Sequence, residues 1–256
     1  MHSRRTIIAA CAALAASRAA HALAPPPTLA PGVLRIGTYF VNPPFEFIEN
    51  GKRVGYEVDL MNEIARRLGL TPLFVNTRWE TILAEMQAHR YDCIVGGITI
   101  TPAREQLLAW SAPYMTTTLS LIVNSAKTPA ITTLADLKTA SVGVQADTTD
   151  YDIAVTMQKK GEIGKIIVYP FNHIADAITD LAAGQITAVM KVAPVAAYLA
   201  QHTPNLKIIA EVPNDPQPLG IGFAKNEQTL LAATNDTLAS MRADNSLTNL
   251  SHRWHV

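Results

Sequence analysis

The run Gly96-Gly97-Ile98-Thr99-Ile100-Thr101-Pro102-Ala103-Arg104 gathers two glycines, two hydroxyls and one guanidinium into a single short segment. Glycine lets a ligand approach the main chain closely. A threonine hydroxyl can donate or accept. The planar fork of arginine grips a carboxylate through two parallel hydrogen bonds. Those residue types in that order suit a receptor for a small anion. They can also be read as a strand end, a polar turn and a surface arginine.

The segment runs on to Trp110-Ser111-Ala112-Pro113-Tyr114. It resembles the ligand-binding stretch of the family 3 extracellular solute-binding proteins, the periplasmic receptors of polar amino-acid ABC importers. Their pattern is roughly G-x-T-x-T-x-x-R, then a serine, a proline and an aromatic. The likeness extends over the chain: Leu34-Arg35-Ile36-Gly37-Thr38, Asn42-Pro43-Pro44-Phe45-Glu46-Phe47, Gly55-Tyr56-Glu57-Val58-Asp59-Leu60, Val142-Gly143-Val144-Gln145 with Thr148-Thr149, and Leu247 to Trp254. The resemblance implies an α/β, two-lobed periplasmic binding protein fold of type II. Two hinge strands would join the lobes, and the ligand would lie in the cleft between them.

Carried over residue by residue, the resemblance makes Arg104 the clamp for a ligand carboxylate. Gly97 and Thr99 would line the same pocket, and Thr149 would donate from the second lobe at a helix start, where the dipole favours an anion. Trp79 stands where the family often covers its ligand with an aromatic, although a core tryptophan on a helical face fits as well. Phe45 is a weaker candidate, closer to packing than to contact. Asn42 replaces the family's stacking aromatic before the proline, and Asp147 replaces the loop glycine before Thr148. The family commonly continues G-x-x-D-A-x-x-x-D, its last aspartate pairing with a ligand ammonium. Here Gly184 to Lys191 lacks both aspartates, and Lys191 is read at the ammonium position. A cation facing a cation in a dry cleft costs on the order of several kcal/mol. Either Lys191 meets a second anionic group, so that the ligand is a dicarboxylate, a keto or hydroxy acid or an atypical amino acid, or Asp147 or Asp150 neutralises it and takes over the ammonium.

An enzyme is the alternative from a different class, because the fold also houses periplasmic cyclohexadienyl dehydratases. Such chemistry needs a general acid, and Lys191-Val192-Ala193-Pro194-Val195 has no carboxyl where those relatives carry a glutamate. The expectation is therefore a binding protein without catalytic residues. No cofactor is expected: there is no phosphate loop, and His89, His173, His202, His252 and His255 have no zinc spacing, so no metal is expected either.

The elements that must position these residues alternate in period. Val33 to Tyr39, Cys93 to Ile98, Leu119 to Asn124, Ser141 to Val144, Ile166 to Tyr169 and Thr187 to Met190 read as strands. Asp59 to Leu68 (closed by Gly69), Trp79 to Met86, a segment from about Thr149, Ala175 to Ala183 (stopped by Gly184) and Pro194 to Gln201 read as helices. That alternation predicts helices packed on both faces of α/β sheets. Hinge crossings are expected near Leu121–Lys127 and Pro216–Phe223. Lobe 1 then comprises 33–123 plus 220–256, and lobe 2 comprises 124–219.

Residues 1–22 read as an export signal, with Arg4 and Arg5, an apolar core and Ala20-His21-Ala22 as cleavage site. Arg18 breaks the apolar run short of the roughly 20 residues needed to span a bilayer. Residues 23–32, with three consecutive prolines, read as an extended leader. The full chain has 21 basic and 21 acidic residues; loss of Arg4, Arg5 and Arg18 leaves 18 against 21, a net of −3. Nothing in that balance calls for nucleic acid as a partner. The expected partners are a small carboxylate ligand and ABC importer membrane subunits, with the protein itself a periplasmic monomer. Cys93 sits in an apolar run and reads as an inert core thiol.

Overall fold

Residues 24–213 and 216–256 are described by a computed structural model; the expected signal segment 1–22 lies outside them. Apolar–polar alternation at Val33 to Ile36 buries Leu34 and Ile36 on one face of β1 (Val33–Thr38). A small meander follows: β2 (Val41–Asn42), β3 (Glu46–Glu49) and β4 (Lys52–Val54). Helix α1 (Tyr56–Arg67) then buries Leu60, Met61, Ile64 and Ala65 along one stripe. Gly69, at φ 68, takes the left-handed turn that ends it. The first lobe continues through β5 (Thr71–Asn76), α2 (Trp79–Gln87), β6 (Cys93–Ile94), α3 (Pro102–Leu107) and β7 (Ala109–Trp110).

From there β8 (Met115–Thr117) leads out of the first lobe and β9 (Leu119–Asn124) enters the second. That lobe holds β10 (Ser141–Gln145), α4 (Thr149–Lys159), β11 (Lys165–Tyr169), α5 (Ile174–Ala183), β12 (Ala188–Val192), α6 (Ala193–His202) and β13 (Leu206–Glu211). The chain returns through β14 (Gln217–Leu219) to β15 (Gly222–Phe223), α7 (Gln228–Ala243) and α8 (Ser246–Trp254).

Two five-stranded sheets result, ordered β5-β1-β6-β15-β7 and β11-β10-β12-β9-β13. In each, three parallel strands are extended by antiparallel ones. The connection is a two-stranded ribbon in which β8 and β14 pair antiparallel, Gln217 opposite Thr117. The fold is thus the expected two-lobed α/β arrangement.

Several boundaries differ from the sequence expectation. Because β9 pairs with β12 and β13 it belongs wholly to the second sheet, so the first crossing falls at 115–118 rather than 121–127. The strand expected over Cys93 to Ile98 stops at Ile94, ahead of Gly97, whose φ of 61 cannot continue a ladder. The leader is pinned to the first lobe: the Asp92 carboxylate accepts the Leu29 N–H and the Arg35 N–H, each at 2.6 Å.

Candidate functional site

The cleft between the lobes is built from strand ends. Tyr39 directly follows β1, Gly96 and Gly97 follow β6, Thr148 and Thr149 follow β10, Phe171 follows β11, and Lys191 and Val192 end β12; with Asn42, Trp79, Thr99, Arg104 and Asp150 they line one cavity. Carboxyl ends of parallel strands are where α/β sheets place ligands.

Arg104 projects from the first turn of α3, whose N-cap Thr101 accepts the Arg104 N–H. Its guanidinium donates to the Thr99 carbonyl at 2.9 Å and, across the cleft, to the Asp147 carbonyl at 3.3 Å. It lies 5.0 Å from the Trp79 ring centroid. Among the described residues no carboxylate forms a salt bridge with it. Burial lowers its pKa from the ordinary arginine value, opposed by Tyr39 and, at longer range, Asp150 and Asp152. A desolvated cation without an anion in contact is a site for one.

Gly97 is half-buried at φ 61, and a Cβ there would meet Asn42 Nδ2 and Phe45 Cδ2 at 3.1 Å each. Glycine meets both constraints without strain. The hydroxyl of Thr99 donates to Gln217 Oε1 at 2.9 Å, tying the pocket wall to the hinge strand β14. Thr148 caps α4 and Thr149 opens it, so this helix start faces the cleft. Trp79 stacks on Phe171 from the opposite lobe, with centroids 4.8 Å apart and planes at 19°, while Tyr39 meets both edge-on. These contacts and the Arg104–Asp147 bond hold the lobes together over the cavity.

Lys191 is almost wholly buried. Its ammonium donates to Gln145 Oε1 at 2.5 Å and pairs with Asp150 Oδ2 at 3.4 Å. Its charge is therefore balanced within the second lobe, by Asp150 rather than Asp147. Counting from Gly184 along G-x-x-D-A-x-x-x-D, the last aspartate falls on Val192, not on Lys191 as read above; Val192 also lines the cavity and brings no charge.

Two other candidates are placed differently from the expectation. Asp147 is exposed at φ 60 and supplies its carbonyl to Arg104, while its carboxyl is not among the lining groups. Phe45 is fully buried behind Gly97, packed edge-on against Tyr56, so it supports the wall without facing the cavity. Asn42 does line the cavity. Sequence reasoning missed Tyr39, Thr148 and Phe171 as lining residues. Their common signal, a position just past a strand's carboxyl end, was available in the pattern. Cys93 is buried, and burial pushes its thiol pKa well up, which leaves it unreactive.

Residues 34–256 match the bacterial extracellular solute-binding proteins, family 3. The L-cystine-binding protein of Escherichia coli (strain K12) is 28% identical over 224 residues, 87% of this chain and 82% of that protein. Among solved structures, an ancestral arginine-binding protein bound to arginine superposes with a TM-score of 0.79 at 30% identity, covering 87% of this chain and 98% of that one. An ancestral amino acid-binding protein, a precursor of cyclohexadienyl dehydratase, superposes at 0.76 with 30% identity, covering 87% and 95%.

Proposed function

The chain belongs to the bacterial extracellular solute-binding proteins of family 3, and on that premise we propose that it is an exported receptor that delivers a small carboxylate-bearing solute to an ABC importer. Arg104 takes the carboxylate, helped by the main chain around Gly97 and Thr99 and by the α4 start at Thr149. Closure brings Phe171 and Trp79 together over the solute, and the closed form is what membrane subunits would recognise.

The observation that carries the choice of solute is the Lys191–Asp150–Gln145 cluster. With Lys191 already balanced, Arg104 is the lining cation whose charge is unmatched by a contact. The Asp150 carboxylate lines the same cavity and can accept an ammonium. This favours an amino acid held by a rearranged ammonium site over a dicarboxylate or a keto or hydroxy acid gripped between two cations. The cystine and arginine named for its relatives belong to that class.

A non-enzymatic role is part of the proposal. The dehydratase connection of one relative is the reason to test it, but residues 191–195 carry no carboxyl to act as general acid. Turnover of prephenate or arogenate by the purified protein would reverse that reading.

The deciding experiment is a thermal-shift panel on ligand-stripped protein. It would set L-arginine, L-cystine and L-glutamine against succinate, malate and 2-oxoglutarate, since tight binding raises Tm by mass action. A rise with an amino acid supports the rearranged site. A rise confined to dicarboxylates, and abolished by Lys191→Ala, would replace it with a two-cation clamp.

A further inference from the structure

Beneath the cleft wall lie two glutamates that none of the chemistry above uses. Glu46 on β3 and Glu57 in the first turn of α1 are both 0% exposed, and their carboxyls face one another. Glu57 Oε1 accepts the Gly97 N–H at 2.7 Å and the Tyr114 hydroxyl. Its Oε2 meets no other donor, and neither oxygen of Glu46 meets a well-directed one, although the Asn42 side chain approaches Glu46. The remaining groups around the pair are the Tyr39 hydroxyl, which donates to the Gly96 carbonyl, and the Tyr56 hydroxyl. Arg104 acts electrostatically on Tyr39, and Arg242 on Tyr56. Among the described residues neither glutamate has a salt-bridge partner.

Two ionised carboxylates cannot share such a site without a cation. We propose that Glu46 and Glu57 hold a single proton between them, and that this pair is the positioning device for Asn42 and Gly97 in the cleft wall.

The surroundings say where the proton sits. Glu57 lies at the amino end of a twelve-residue helix and already accepts two bonds, both of which favour the anion. Glu46, on a strand, has neither advantage. Burial and the neighbouring Glu57 push its pKa well above the ordinary carboxylate range. The Glu46 hydroxyl then donates to Glu57 Oε2, which satisfies both buried groups with one proton. Glu46 sits opposite Asn42 in the β2–β3 ladder, and Glu57 accepts the Gly97 N–H, so the pair links two lining residues that come from separate segments. Loss of the proton would set two buried anions against each other and push β3 and α1 apart, with Asn42 and Gly97 attached. The consequence for ligand binding rests on the receptor reading above; the pair itself does not.

The test is therefore made on the free protein. Glutamate carboxyl carbons labelled with ¹³C, and the Gly97 amide proton, are followed by NMR against pH in wild type and in Glu46→Gln. The expected wild-type result is one buried glutamate still protonated at neutral pH, with the Gly97 amide shift moving at the same midpoint as that carboxyl on the alkaline side. In Glu46→Gln the amide should hold its neutral-pH position across the same range. Two fully ionised buried glutamates at neutral pH would overturn the proposal, as would a Gly97 titration that Glu46→Gln leaves unchanged. If the variant fails to fold, the wild-type carboxyl titration decides alone. A thermal panel in which no solute binds would sink the receptor reading and leave this measurement untouched.

Discussion

Lys191 and Asp150 form an ion pair at 3.4 Å inside the cleft, with side chains only 4% and 3% exposed. A desolvated pair of this kind gains little net stability, but leaving one partner alone is expensive. Lys191→Met should therefore lower the unfolding free energy by about 3–5 kcal/mol. The double variant Lys191→Met with Asp150→Leu should recover most of that loss. Urea denaturation of the three proteins checks it, and additive losses in the double variant would show that the pair is not coupled.

Gly97 makes a separate prediction. Its φ of 61 is strained for any side chain, and at 3.1 Å the Asn42 and Phe45 side chains would have to shift by a few tenths of an ångström to admit a methyl group. Gly97→Ala should cost about 1–2 kcal/mol from the left-handed backbone alone, with more from displacing Asn42. Denaturation midpoints together with solute affinity measure this, and affinity should fall even where the protein still folds.

Stability should respond to pH in two opposite ways. Arg66 and Arg67 hold the Glu63 carboxyl down to about 2, and Ser246 and Arg67 hold Asp244 down to about 2. Groups with a lowered pKa contribute stability above their unfolded values and lose it as pH falls through the folded ones. Both sites are largely solvated, so this acid limb should be shallow. Glu46 has the opposite sign. Its raised pKa stabilises the fold fully below the unfolded value, and that contribution is lost as pH rises toward the folded one. Denaturation free energies measured across pH should show a decline in wild type that begins above the ordinary glutamate value and runs up to the raised folded one, with a flatter profile in Glu46→Gln.

Much of this architecture was legible because strong periodic signals coincide with buried faces. The stripe through Leu60, Ile64 and Ala65, the closing glycines Gly69 and Gly184, and the apolar run of β9 all appear where their spacing predicts. The short strands β2 to β4 and the mostly polar face of α7 went unread, since neither offers a sustained period. The hinge was displaced for a related reason: an apolar strand does not say which sheet it joins, and β9 is claimed by β12 and β13. In the cleft, Arg104, Gly97 and Trp79 announced themselves by residue type. The partner of Lys191 could not be chosen in advance, because the turn at Asp147 directs that carboxyl outward while Asp150, one step into α4, faces inward. The glutamate pair was invisible in sequence, its members being joined only by the packing of β3 against α1.

The most direct test of the receptor account is calorimetric titration of ligand-stripped wild type and Arg104→Ala with the amino acid that gives the largest thermal shift. Truncating one partner of a buried charge pair costs about 2–5 kcal/mol, so the variant should bind on the order of 30- to several-thousand-fold more weakly. Binding that survives Arg104→Ala undiminished would contradict the account.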